Sequence, residues 1–377
     1  MSQPRAENGM RLQRSSRDTS TLIPRLTAWL ATQLPVDAEP SVALRAGIDS
    51  NGMSAETLVL SATWTEAGAP QVADLIARMV PAPGDFPILA DYNLPDQFDA
   101  MRIVAESSSV PVPRARFIEP TGEVLGTPFL LMDRVDGLVP PDVMPYTFGD
   151  NWLFDASPEE QNRLQHSTIE ALAALHAIPD APTTFAFLEP RQPGSSPLER
   201  TLNRARAWYE FAARDSGPSP LVERILVWLT ANLPETSAGE TVLSWGDARI
   251  GNCMYRDFIP VAVLDWELAT IGPRELDVAW LVFAHRVFQT IANTFGRPGM
   301  PDFLRMADVK ATYAECAGVQ IGDLTWYTLY AALNYCVVFM RAGGRQVHFG
   351  EMARPDDIEV LFHHKSLVEE LLAEIGA

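Results

Sequence analysis

Asp247, Asn252 and Asp265 constrain this chain more than any other residues it contains. The first two lie in Trp245-Gly246-Asp247-Ala248-Arg249-Ile250-Gly251-Asn252, the third in Val263-Leu264-Asp265-Trp266-Glu267. A carboxylate can orient a hydroxyl and accept its proton, while an amide oxygen and a second carboxylate can ligate a divalent ion that neutralises phosphate charge. Asp247 followed five residues later by Asn252 reproduces the D-x-x-x-x-N spacing of a kinase catalytic loop. The apolar run 260–264 reads as a short buried strand, so Asp265 projects from its end at the mouth of a cleft. Residues 253–255 read as its partner strand, with a turn around Asp257. Taken singly, a Gly-Asp pair is usually a turn and an Asp ending a strand is usually a cap. Base, amide, strand and carboxylate in that order within 247–265 point instead to phosphoryl transfer.

WGDARIGN followed by VLDWELATIGPRELDVAW resembles the signature of the aminoglycoside phosphotransferase family. The likeness is strongest to actinobacterial, notably mycobacterial, members and to the related domain of the acyl-CoA dehydrogenase 10 and 11 type. It implies an α+β, bilobal protein-kinase-like fold with a small mixed N-lobe built on an antiparallel sheet and a larger, mainly helical C-lobe. It further implies ATP or GTP as co-substrate, Mg2+ as metal, and a small-molecule hydroxyl as acceptor. By the same resemblance Asp247 is the catalytic base, and Asn252 and Asp265 bind magnesium. His176 and Asp277 brace the catalytic loop. Most members carry His two residues before the base where this chain has Trp245.

The nucleotide half is less sharply written. A helix is expected over 21–34 and a first strand over 56–64, rich in Thr, Val and Leu. The turn-rich 47–54 before that strand can cover phosphates with main-chain amides, and the resemblance selects Gly52 and Ser54 within it. A kinase needs a cation on the next strand, 74–80. This chain has only two lysines, Lys310 and Lys365, both far away, so an arginine must serve, and the resemblance, whose pattern here is apolar residues, a basic residue and then proline, points to Arg78 in Leu75-Ile76-Ala77-Arg78-Met79-Val80-Pro81. Its planar fork can hold phosphate oxygens in pairs. A helix over 95–107 should carry the acidic partner of that cation, but no Glu is present there and Asp99 is the substitute. The strand in 128–137 leads to a hinge at 132–136, where the resemblance assigns adenine recognition to the main chain of Asp133 and Val135, with Met132 packing near the base. The proline cluster 140–145 marks the lobe boundary. The expected division is a mobile arm over 1–20, an N-lobe over 21–136 and a C-lobe over 137–377. In the C-lobe, Ser157-Pro158 opens a helix to about 177, and further helices are expected over 198–213, 221–233, 275–290, 303–317, 324–340 and 356–375.

The net charge of −19 argues against a nucleic-acid partner. Cys253, Cys316 and Cys336 are too few and too scattered for a disulfide framework or a zinc site, which suits a reducing cytoplasm. The apolar stretch 324–340 falls short of the roughly 20 residues that span a bilayer, so no membrane partner is expected. The acceptor stays open. Glu351, Asp356, Asp357 and Glu359 could face a polycation, whereas Arg341, Arg345, Arg354 and Gly343-Gly344 suit an anionic acceptor such as a hydroxyacyl thioester. The absent lysine and helix glutamate also admit a nucleotide-binding pseudokinase that senses without turnover. A metal-dependent hydrolase ranks third.

Overall fold

The computed structural model describes residues 19–46, 54–235 and 241–377. The expected arm over 1–20 falls almost wholly outside them, as does most of the turn-rich stretch before the first predicted strand. The architecture is the expected α+β, two-lobed, kinase-like one. Helix α1 (Thr19–Gln33) precedes β1 (Ser41–Ala46), β2 (Glu56–Glu66) and β3 (Ala69–Met79). Helix α2 (Leu94–Ser107), β4 (Ala115–Glu119) and β5 (Phe129–Asp133) complete the small lobe. Its strands form one antiparallel sheet in the order β1-β2-β3-β5-β4. Strand β1 was not expected from the sequence, whose first predicted strand is β2.

Alternation decides which face of this sheet is dry. Leu58, Leu60 and Ala62 on β2 and Leu75, Ala77 and Met79 on β3 are buried, and Leu22, Leu26 and Leu30 of α1 cover them. With a period of two, Arg78 must point away from that core. It pairs in register with Thr57 and Leu130.

The large lobe contains α3 (Pro158–His176), the single turn α4 (Ala181–Thr184), α5 (Pro197–Ser216), α6 (Pro220–Ala231), α7 (Glu275–Thr294), α8 (Met306–Ala317), α9 (Thr325–His348) and α10 (Lys365–Glu374). Helix α3 starts where Ser157 and Glu160 form a reciprocal capping box with Pro158 in the first turn, worth about 1 kcal/mol. The expected helix over 356–375 is broken. Asp357 caps a 3-10 turn, Ile358–Leu361, and the buried His364 interrupts the path before α10. Helix α9 runs to His348, past the end of the apolar stretch that announced it.

Four short strands set the site. β6 (Thr241–Ser244) pairs with β9 (Thr270–Pro273), and β7 (Cys253–Arg256) pairs with β8 (Ile259–Val263), both antiparallel. The Ser244↔Thr270 and Cys253↔Val263 pairings bracket the loops 245–252 and 264–269, so both loops leave the same neighbourhood. Strands β6 and β9 carry no apolar alternation long enough to be legible in the sequence.

Arg341 of α9 locks the β3–α2 connection onto the large lobe. Its guanidinium lies between the rings of Phe86 and Phe211, at 4.0 and 4.1 Å, and donates to Pro87 O at 3.1 and 2.6 Å and to the Asp215 carboxylate. Phe86 also packs where a Cβ on Gly344 would come within 3.0 Å of its ring. Arg341 and the glycine pair are thus structural here rather than poised for an anionic substrate.

Candidate active site

The loop 245–252 is held mainly from below. Asp277, fully buried at the start of α7, accepts from Ser244 Oγ at 2.9 Å, Trp245 N at 2.7 Å and Gly246 N at 2.9 Å. His176 Nε2 meets Asp277 Oδ2 at 2.9 Å, and His176 Nδ1 meets the Tyr313 hydroxyl at 2.7 Å. His176 and Asp277 therefore do the bracing expected of them. Trp245 adds a bond of its own, Nε1 to Leu264 O at 2.8 Å, tying this loop to the one that carries Asp265. Gly246 has φ of 89°, and a Cβ there would lie 2.2 Å from Leu268 O, so neither the backbone nor the space admits another residue.

Asp247 is clamped on both oxygens. Oδ1 accepts from Trp280 Nε1 at 2.7 Å, and Oδ2 accepts from Asn252 Nδ2 at 2.7 Å. Arg249 Nε donates at 3.3 Å while its Nη1 reaches Asp142 Oδ2 at 2.6 Å. Burial pushes the Asp247 carboxyl above its ordinary range; the Arg249 charge opposes that, and the nearby Asp265 carboxylate adds to it. A carboxylate with that balance is a stronger base than a solvated one.

Asn252 spends its Nδ2 on Asp247, donating to both its backbone and its side chain. Its main-chain oxygen accepts from Leu264 N at 2.8 Å, which holds Asn252 beside the start of the second loop. The amide Oδ1 takes no partner among the described residues. Asp265 follows in a left-handed conformation, φ 62° and ψ 67°, rare for a residue with a Cβ. Among the described residues no three His, Cys, Asp or Glu side chains group as a metal cage. One amide and one carboxylate oxygen are the hard, sparse donor set that suits Mg2+, which keeps its remaining positions for water and phosphate.

Arg78 reaches this loop from the other lobe. One guanidinium nitrogen donates to Asp265 Oδ1 and, at 2.8 Å, to Glu267 Oε2. Ser54 Oγ donates to the same Glu267 oxygen at 2.7 Å. Burial pushes Glu267 upward, with the Asp265 charge adding and Arg78 opposing. The cation's partners are thus Asp265 and Glu267, not the helix residue proposed from the sequence. Asp99 is half-exposed and pairs with Arg102 at 3.5 Å on α2. The reason is geometric: α2 offers no acid facing β3, and the loop after β8 offers two.

Gly52 lies outside the described residues. Asp133 spends its carboxylate on Arg116 and its N–H on Arg114 O at 2.9 Å. Met132 is half-buried on β5, against the large core. Val135 follows in open chain, and no described residue hydrogen-bonds its main chain. Glu359 is buried, accepting from Ser219 Oγ and Leu221 N at 2.8 Å and pairing with Lys365 at 2.7 Å, and Asp357 caps the 3-10 turn. Those two acids are therefore not free to meet a polycation. Glu267, Arg249, Trp280 and Asp142 escaped the sequence reading. For Arg249 and Glu267 the signal was their place two residues after Asp247 and Asp265; for the other two there was none.

A family model described as "Phosphotransferase enzyme family" matches residues 66–309. The protein named probable acyl-CoA dehydrogenase IBR3 of Arabidopsis thaliana is 27% identical over 298 residues, covering 74% of this chain and 34% of that protein. Acyl-CoA dehydrogenase family member 11 of Homo sapiens is 27% identical over 236 residues, covering 61% of this chain and 28% of that one. The chain spans about a third or less of the length of the curated relatives it matches. A solved structure from Ralstonia eutropha, provisionally assigned as an aminoglycoside phosphotransferase, superposes with a TM-score of 0.62 at 20% identity, covering 93% of this chain and 97% of that one. That likeness is one of fold.

Proposed function

The chain belongs to the phosphotransferase enzyme family, and from that premise we propose that it moves the terminal phosphoryl group of ATP or GTP, with Mg2+, onto a hydroxyl of a small molecule. Asp247 is the base. The observation that carries this reading is the pair of bonds that fix Asp247 from Trp280 and Asn252 while the Asn252 amide oxygen has no partner among the described residues. Trp280 and Asn252 orient the carboxylate, and its raised pKa lets it take the acceptor's proton as the hydroxyl oxygen attacks phosphorus.

Asn252 Oδ1 and the Asp265 carboxylate would hold the metal. Bound there, Mg2+ supplies neutralisation of phosphate charge. Arg78 is the cation for the nucleotide phosphates, with Ser54 and Gly52 covering them, and it leaves the Asp265 and Glu267 carboxylates for phosphate oxygens as nucleotide enters. The adenine or guanine edge lies at the hinge, 132–136, between an N-lobe over 21–136 and a C-lobe over 137–377. Met132 packs on the base, and the free main chain of Val135 and that of Asp133 read it. The chain works in the cytoplasm on a small molecule, without nucleic acid or membrane as partner. Among the described residues, no helix is long and apolar enough to cross a membrane.

A second reading, a nucleotide-binding protein without turnover, draws on the engagement of Asp265 by Arg78. An Asp247→Ala variant separates the two. Phosphorylation is followed by mass gain on aminoglycosides, amino alcohols, sugars and hydroxyacyl thioesters. The variant should lose transfer by roughly 10²–10⁴-fold with nucleotide affinity kept. Turnover surviving that change removes Asp247 as base, and wild-type protein that binds nucleotide but labels no acceptor favours the second reading.

A further inference from the structure

Beside the proposed transfer site lies a cavity of about 200 Å³. It opens between the first turn of α2, the segment 187–192, and helices α5, α7 and α9. It borders the site through Gly246, Glu267 and Trp280, and the indole N–H of Trp280 is the one that holds Asp247.

Its walls have two characters. Trp208, Trp266, Trp280, Leu89 and Phe187 make most of them apolar and aromatic. Gln97, Tyr330 and Asn334 are set among these side chains, 5%, 6% and 3% exposed. Asn334 Nδ2 donates to Tyr330 O at 2.7 Å. Its carbonyl oxygen, the Tyr330 hydroxyl and the Gln97 side-chain amide have no partner among the described residues. None of these atoms is sealed from the cavity, so each is satisfied by water or by a ligand that enters it. Three unpartnered groups converging from two helices on an apolar cavity are the marks of a binding pocket.

The charges narrow the ligand. Glu189 is paired with Arg200 and Glu267 with Arg78, leaving Asp91 and Asp96 against Arg191 and Arg204. Asp96 is further engaged by the Asn93 side chain. A polycation needs a surplus of free carboxylates, and this lining has none. An apolar cavity of 150 Å³ accepts benzene, so this one has room for a body of roughly eight to ten non-hydrogen atoms.

We infer that this cavity holds the body of the acceptor, and that the acceptor is an alcohol with an apolar ring or branched chain, a hydrogen-bonding group for Gln97 and Asn334, and no cationic groups. The inference rests on the phosphotransfer reading for the word acceptor, and on the cavity alone for the ligand class.

The test uses the full chain and 2-(4-hydroxyphenyl)ethanol as probe, which carries the alcohol, the ring and a second, uncharged hydrogen-bonding group. Binding is measured without nucleotide by calorimetry and by tryptophan fluorescence, since Trp208, Trp266 and Trp280 line the cavity. Saturable binding is expected, undisplaced by the polycation kanamycin. Ala205→Leu, which fills the cavity from α5, should weaken it at least tenfold. Gln97→Leu, which keeps the volume and removes the polar group, should weaken it several-fold and decides the matter if the first variant misfolds. No saturable binding, displacement by kanamycin, or unchanged affinity in both folded variants overturns the inference and leaves phosphotransfer standing. So does a screen in which the labelled acceptors are polycations whose turnover ignores Ala205→Leu. Probe binding with no acceptor of any class phosphorylated strikes instead at the phosphotransfer reading, and with it the role of the bound alcohol as acceptor.

Discussion

The two sides of the cleft hold their polar groups in opposite ways. On the large-lobe side, Asp247 and Asn252 are fixed within their own lobe: Asp277 receives three donors from residues 244–246, His176 backs it, and Trp280 and Asn252 orient the Asp247 carboxylate. On the small-lobe side, Arg78 finds its carboxylates across the cleft, and so does Ser54. The first arrangement is preorganised, because its bonds do not depend on how the lobes approach. The second depends on that approach, because Arg78 and Ser54 bond to the loop that carries Asp265. Its cation stands in ion pairs with Asp265 and Glu267; on the proposed function these are what nucleotide phosphates replace.

The largest effect that would break this contrast falls on the brace. Asp277→Ala removes a fully buried carboxylate and strands the donors of 244–246, and should cost about 3–5 kcal/mol of stability in urea unfolding, with activity lost in step. A stable Asp277→Ala protein would mean that the catalytic loop does not depend on that network.

Acid should separate the lobes by a similar amount. All six histidines lie in the large lobe. Burial pushes His285 down to about 4 and His364 down to about 3, against about 6.5 when unfolded. Neutral His285 accepts from the Tyr146 hydroxyl on Nδ1 and donates to Met300 O from Nε2, an arrangement that protonation spoils. A group whose folded pKa is depressed binds fewer protons folded than unfolded. Its contribution is therefore complete above about pH 6.5 and is lost as pH falls toward the folded values. By pH 5, about 1.5 units below the unfolded value, each histidine should contribute about 2 kcal/mol to that loss. Hydrogen exchange between pH 7.5 and 5 should show large-lobe amides losing protection before those of β2 and β3, and a pH-independent large lobe would contradict the assignment.

The smallest pair of effects sharpens the nucleotide side. Arg78→Met should raise the nucleotide KM roughly tenfold or more, equivalent to about 1.4 kcal/mol, while Asp99→Ala should change stability by no more than about 0.5 kcal/mol and leave that KM alone. A KM that responds to Asp99 and not to Arg78 would reverse the pairing seen across the cleft.

The legibility of each part follows from how local its physics is. Asp247, Asn252 and Asp265 could be read because one loop and one hairpin hold all three, and hairpin register is set by neighbours in sequence. Strand β2 could be read from its Thr, Val and Leu content and β3 from the family pattern around Arg78, and their alternating burial shows why both fit a half-buried sheet. Strands β6 and β9, four residues each, are stabilised only by pairing with each other across the intervening catalytic loop and hairpin, and left no pattern. The helix over 356–375 was misread as continuous because its apolar spacing persists through the break that the buried Glu359 and His364 impose.

By itself the sequence determined the Asp247–Asn252–Asp265 segment through its spacing and the need for an arginine through the scarcity of lysine, while the lobed fold and the choice of Arg78 came from the family resemblance that those motifs carry. Only the tertiary structure decided that Arg78 meets Asp265 and Glu267, that Trp280 holds Asp247, and that Gln97, Tyr330 and Asn334 line one cavity. These contacts join residues far apart in the chain, and their energies depend on burial and mutual orientation, which exist only once the lobes have packed.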